Sequence, residues 1–145
     1  MLFRSDTWVV ANELVIGDEH KVRLWDPENQ TLTRRPLQIG DSATLWNWLD
    51  WMLSASSNAA ASVCMQQTLL LAHFGTQYPV TEAEARRFFE ETPKPVLRRL
   101  LKRSMQRALH RGGIDTTQLR QGSLYTRTGK QLVPGSGSKI GRAHV

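Results

Sequence analysis

The sequence has one cysteine, Cys64, and no long apolar run. A single thiol excludes an internal disulfide framework and any zinc site built from several cysteines. The longest apolar stretch, residues 69–72, ends at His73 and is far shorter than the roughly 18 residues that a membrane span needs. The sequence therefore predicts a globular, cytoplasmic protein with no membrane partner, in which Cys64 is a buried small hydrophobe.

Acidic residues are scarce in the second half of the chain. Residues 1–79 hold five Lys/Arg against eight Asp/Glu, a net of −3, whereas residues 80–145 hold fourteen against five, a net of +9. After Thr92 the only carboxylate side chain is Asp115. Such asymmetry is typical of a face that binds a polyanion, although a solvated basic surface gives the same count.

Clusters that could carry catalysis or hold a metal are also missing from the sequence pattern. The four histidines, His20, His73, His110 and His144, are dispersed, and none pairs with another at metal-ligand spacing. No Ser/His/Asp arrangement stands out, and residues 134–139 resemble a phosphate-binding loop only without its Gly-Lys-Ser/Thr. We expect no catalytic residue, metal site or cofactor, and enzymatic activity is left open.

The sequences at the two ends of the chain are predicted to be non-native. Residues 1–5 and 140–145 resemble translations of opposite strands of a common sequencing adapter, as occurs at the edges of metagenomic contigs. We expect both to be non-native tips on a fragment of a larger protein. Residues 6–133 are then predicted to form one α+β domain, followed by a flexible linker over residues 134–139.

The first forty residues alternate as strands do. Segments rich in β-branched and aromatic residues cover 7–10, 13–16, 20–25, 31–33 and 37–39, and a turn with Pro27 separates the third from the fourth. We predict a small antiparallel sheet over residues 6–40.

Residues 41–111 then change to a helical period and predict about four helices. The first is capped by Asp41 or Ser42 and is rich in tryptophan, with Trp46, Trp48 and Trp51. Core packing is the favoured interpretation of these indoles, and a surface for a protein partner or a missing segment of the parent chain is the alternative. The next helices are bounded by residues 56–58, by Gly75 and by a capping box from Thr81 to Glu84.

The last of these helices, which follows Pro93 and ends at residues 112–113, carries the functional hypothesis. Its predicted inward stripe is Leu97, Leu100, Leu101, Met105 and Ala108, and its cations fall on the outer face. A basic hairpin is expected to follow at residues 118–133. The candidate nucleic-acid-binding residues are Arg98, Arg99, Lys102, Arg103, Arg107 and Arg111 on the helix, with Arg120, Arg127 and Lys130 on the hairpin.

The order of these elements resembles a winged helix, and more narrowly the effector domains of two-component response regulators. Residues 22–39 look like the opening hairpin of that family, residues 97–109 like its basic recognition helix, and residues 122–125 like its wing. The resemblance implies a helix-turn-helix fold, duplex DNA as the partner, a role in transcription regulation and no enzymatic activity.

The function expected from the sequence is therefore nucleic-acid binding, most simply to duplex DNA, by a basic helix and hairpin. Two alternatives stay open: a subdomain of a larger replication or mobile-element enzyme, and a protein–protein interaction module that uses the Trp-rich helix.

Overall fold

A computed structural model describes residues 6–13 and 19–114. These ranges contain four short strands and four α-helices. The strands are β1 (Trp8–Val10), β2 (Lys21–Asp26), β3 (Thr31–Pro36) and β4 (Ser42–Thr44), and the helices are α1 (Leu45–Ser54), α2 (Asn58–Phe74), α3 (Glu82–Glu91) and α4 (Lys94–Arg111). The chain divides into two compact units, Met1–Leu101 and Lys102–Val145.

The strands form two separate antiparallel pairs and not one sheet. β2 and β3 make a hairpin in which Asp26 lies opposite Thr31, whereas β1 pairs with β4 so that Val9 lies opposite Ala43. The predicted fold class was an α+β, winged-helix-like domain with one small N-terminal antiparallel sheet, about four helices and a C-terminal hairpin, and it is wrong because the described strands form two sheets. The described residues are α+β, and the hairpin predicted at residues 118–133 lies outside them.

The segment 37–39 is not the strand that its β-rich residues predicted. Asp41 closes a turn around it, because its backbone N–H donates to the carbonyl of Gln38 (3.1 Å) and its carboxylate accepts from the N–H of Gln38 (2.7 Å). Gly40 takes a φ of +94° in this turn, a conformation that favours glycine. Residues 42–44, predicted as the start of a helix, are free to pair with β1, and Thr44 caps α1 instead.

The main apolar core lies between the strands and the first two helices. Trp48 is fully buried, and its indole Nε1 donates to the carbonyl of Val9 at 3.1 Å. Trp51, 7% exposed, meets Trp48 edge to face at 5.2 Å and donates to the carbonyl of Arg23. Cys64 is buried in the same cluster, as predicted, and burial raises the pKa of its thiol to about 11.

An ion pair ties the end of β3 to the turn that precedes β4. The guanidinium of Arg35 donates to both carboxylate oxygens of Asp41, at 2.8 and 2.6 Å, and also to the carbonyl of Pro36. Burial alone would raise the pKa of Asp41, but the hydrogen bonds from Arg35 and Gln38 and the charge of Arg35 outweigh it and leave that pKa lowered. The Asp41 carboxylate therefore stays ionised beside the Arg35 guanidinium, and the ion pair stabilises the loop.

A second, smaller apolar cluster brings α2, α3 and the start of α4 together. It is built on Leu69, Leu70 and Phe88, with Leu97, Leu100 and Leu101 of α4 packed against it. The rings of Phe88 and Phe89 lie 5.1 Å apart. No helix in the ranges that the structure describes is long and apolar enough to cross a membrane.

Candidate nucleic-acid interface

Local signals in the sequence fix where α3 begins and where α4 begins. The predicted capping box is confirmed: the Thr81 hydroxyl accepts from the N–H of Glu84 (3.3 Å), and the Glu84 carboxylate accepts from the N–H of Thr81 (2.9 Å). α4 follows Pro93, whose carbonyl accepts from the N–H groups of Val96 (2.9 Å) and Leu97 (3.2 Å). Pro95 sits in the first turn, where its missing N–H has no acceptor to lose.

α4 combines a high positive charge with a complete lack of carboxylates. Its eighteen residues contain seven Lys/Arg and no Asp or Glu. The predicted cations on it are all exposed: Arg98 and Arg99 in the first compact unit, and Lys102, Arg103, Arg107 and Arg111 in the second. Within the described part of the chain, none of them forms an ion pair.

The cations lie in two rows along the helix. Residues four apart share a face, so Arg98 and Lys102 form one row, and Arg99, Arg103 and Arg107 form another about 100° further round. Successive cations in a row are about 6 Å apart along the axis, at 1.5 Å per residue. The rows therefore flank one broad face of a rod that is about 10–12 Å wide with its side chains.

No carboxylate on α4 offsets the electrostatic repulsion between its cations. Arg103 and Arg107 are like charges four residues apart, as are Arg107 and Arg111, and each such pair costs roughly 0.2–0.5 kcal/mol in an isolated helix. By contrast, the α3 cation Arg86 has Glu82 four residues before it, at 3.4 Å. An anion bound along α4 would relieve the repulsion that its own sequence leaves in place.

The apolar side of α4 agrees with the prediction only in part. Leu97, Leu100 and Leu101 are half-buried in the second cluster, as predicted. Met105, 47% exposed, and Ala108 are exposed, so the prediction that they continue an inward stripe is wrong. The physical reason is that helical periodicity identifies residues that share a face but does not decide which of them other side chains cover.

The end of α4 was predicted correctly, but two polar residues on the helix were not included among the candidate nucleic-acid-binding residues. The helix closes with Gly113 at φ +77°, while the N–H groups of Gly112 and Gly113 donate to the carbonyls of Ala108 and His110. Lys94 and His110 also lie exposed on α4. Lys94, in the first turn, is the seventh cation of α4 and was left out of the candidate interface.

The other residues singled out from the sequence have different outcomes. The predicted hairpin cations Arg120, Arg127 and Lys130 lie outside the described residues. Of the indoles on α1, only Trp46 presents its side chain to solvent, at 65% exposed, because Trp48 and Trp51 are in the core. Among residues 6–13 and 19–114 there is no group of three His, Cys, Asp or Glu side chains placed to hold a metal ion.

No protein-family model, curated protein or solved structure matches the chain.

Proposed function

We propose that this protein binds nucleic acid, with duplex DNA as the favoured form, through the cationic face of α4. The observation that carries the proposal is the seven Lys/Arg on one eighteen-residue helix that has no carboxylate. Neutralising phosphates with such cations releases condensed counterions, which is the dominant source of sequence-independent affinity for DNA.

The dimensions of α4 suit a duplex. The major groove of B-DNA is about 12 Å wide and admits one α-helix. With α4 in the groove, rows about 100° apart on its surface reach toward the two phosphate backbones that border the groove. Arginine serves this role well, because its planar guanidinium makes paired hydrogen bonds to phosphate oxygens or to a guanine edge.

The test compares two variants with the same loss of charge. Arg103→Gln/Arg107→Gln removes two cations from α4, and Arg86→Gln/Arg87→Gln removes two exposed cations from α3. Glutamine keeps helix propensity close to that of arginine, so the comparison isolates charge and its position. Binding is measured by fluorescence anisotropy on a labelled 20-base-pair duplex, a single strand of the same sequence and the matching RNA.

The expected result is that the α4 variant binds the duplex at least tenfold more weakly than the wild type, while the α3 variant loses little. Preference for the duplex over both single strands supports DNA as the favoured form. No binding by the wild type near physiological salt contradicts the proposal, and so does an equal loss in both variants. An equal loss in both variants would show that binding depends on net charge and not on the position of the cations.

A further inference from the structure

The β2–β3 hairpin has an outer face that the apolar core does not use. Alternate residues of a strand point to opposite sides, and in β2 the inner side carries Val22, buried, and Leu24, half-buried. The outer side carries Lys21, Arg23 and Trp25, and all three are exposed. The outer face is therefore basic and aromatic along a single strand.

The register of the hairpin adds two residues of β3 to the same face. Arg34 lies directly opposite Arg23, and Leu32 lies directly opposite Trp25. Directly opposite residues have Cβ atoms about 4.5–5.5 Å apart, and residues two apart on a strand are separated by about 7 Å. We call these five residues the outer hairpin face: Lys21, Arg23, Trp25, Leu32 and Arg34.

The pairing of Arg23 with Arg34 is unfavourable for the isolated protein. Like charges directly opposite each other in an antiparallel pair destabilise the sheet. Neither guanidinium has an ion pair within the described ranges, whereas Arg35, on the other side of β3, is held by Asp41. An anion bound between Arg23 and Arg34 would turn this repulsion into attraction.

The exposed Trp25 and Leu32 supply an apolar platform beside these cations. Trp25 is 62% exposed and Leu32 is 57% exposed, and they form a cross-strand pair. Trp25 lies two strand positions, about 7 Å along the backbone, from Arg23 and diagonally across the pair from Arg34. An exposed indole beside cations has the chemistry that binds single-stranded nucleic acid, in which bases stack on aromatic rings and cations follow the phosphates. An acidic peptide would use the cations but has no stacking partner for the indole.

Contacts on the inner side keep the platform in place. Trp51 of α1 donates to the backbone carbonyl of Arg23 at 3.1 Å, which ties β2 to the core. At the turn, the Asp26 carboxylate accepts from the N–H groups of Glu28 (2.9 Å) and Asn29 (3.2 Å) and from the Asn29 side chain. Asp26 follows Trp25 directly in the sequence, and the hydrogen bonds from the side chain and N–H of Asn29 and from the N–H of Glu28 engage its carboxylate in a local turn and lower its pKa.

We propose that the outer hairpin face is a second binding site, specific for single-stranded nucleic acid, with a base stacked on Trp25 and phosphates held by Arg23, Arg34 and Lys21. The site does not depend on α4, and the proposal stands or falls separately from duplex binding. Single-stranded DNA and RNA share this chemistry, and the experiment tells them apart.

The experiment measures anisotropy with labelled 15-mers of deoxythymidine and of uridine on the full chain. All proteins carry Arg103→Gln/Arg107→Gln, so that α4 contributes little. Trp25→Ala is compared with Trp46→Ala, which removes an equally exposed indole from α1. We expect Trp25→Ala to weaken binding about tenfold, as for the loss of one stacked base, and Trp46→Ala to leave it unchanged. Trp25→Phe, which keeps a ring, should restore most of the affinity.

A second substitution separates recognition from folding. Arg34→Thr removes one of the two opposed cations and places a good β-former in the strand. It should lower the salt slope of single-strand binding by about 0.7, the value for one phosphate contact, without lowering the unfolding temperature. Equal affinities for Trp25→Ala and Trp46→Ala would overturn the proposal. Trp25-dependent binding of polyglutamate in place of either oligonucleotide would also overturn it, because the occupant would then be an acidic peptide.

Discussion

Replacing Trp48 by phenylalanine tests whether the Trp-rich helix is part of the core. Trp48 is fully buried and donates to the carbonyl of Val9 at 3.1 Å. Phenylalanine fills most of the space but lacks the N–H, so a buried hydrogen bond is lost, at about 1–2 kcal/mol. The smaller ring leaves a cavity that costs about 1 kcal/mol more. We expect the free energy of unfolding to fall by about 2–3 kcal/mol.

Two neighbouring substitutions on α1 calibrate this value. Trp51→Phe removes a similar hydrogen bond, to the carbonyl of Arg23, from a slightly more exposed position and should cost about 1–2 kcal/mol. Trp46→Phe changes an exposed side chain and should stay within about 0.5 kcal/mol of the wild type.

The assay is urea unfolding followed by far-UV circular dichroism, with the midpoint and slope fitted for each variant. In thermal unfolding, 2–3 kcal/mol corresponds to a midpoint lowered by roughly 10 °C or more for a unit of about 100 residues. If Trp48→Phe were as mild as Trp46→Phe, the account of the core would be wrong. The indoles of α1 would then have to be explained by something other than packing.

Two further predictions concern titratable groups. Asp41→Asn should destabilise the protein by about 1–2 kcal/mol at neutral pH, a value kept modest because Arg35 is partly exposed. Because folding lowers the pKa of Asp41, its stabilising effect is present above the unfolded pKa near 4 and is lost as the pH falls through the folded value, so wild type and variant should converge in acid. A gap that persists at pH 2 contradicts this. With its pKa near 11, Cys64 should react with iodoacetamide at pH 8 only as fast as the protein opens. Rapid alkylation of the native protein would show that the thiol is accessible.

The end of α2 and the start of α3 were predictable from the sequence because their signals are local, whereas the predicted cap of α1 at Asp41 or Ser42 was wrong. Thr81 and Glu84 are three residues apart, and Gly75 directly follows the last residue of α2, so each boundary is set within one turn. The rows of cations on α4 follow from the same spacing, since helical period alone decides which residues share a face.

The strand pairing was not predictable in the same way. β1 and β4 are three residues each and meet across more than thirty residues of chain, so nothing in the local pattern of residues 42–44 marks them as a strand. The turn closed by Asp41 likewise overrides the β propensity of Leu37 and Ile39. The outer hairpin face depends on register, which places Arg34 opposite Arg23, and strand alternation within β2 alone does not reveal that pair.

The exposed part of α4 shows that burial cannot be predicted from helical periodicity alone. Met105 and Ala108 continue the apolar period of Leu97 and Leu101, yet they are exposed. Periodicity identifies a face of a helix, but burial depends on whether another element reaches it.

The salt dependence of duplex binding tests the central claim most directly. For B-DNA the logarithm of the binding constant falls against the logarithm of salt concentration with a slope of about −0.9 for each neutralised phosphate. The cationic face of α4 predicts that Arg103→Gln/Arg107→Gln makes this slope shallower by about two, whereas Arg86→Gln/Arg87→Gln leaves it at the wild-type value. A slope unchanged by the α4 substitutions would contradict the claim that this helix holds the phosphates.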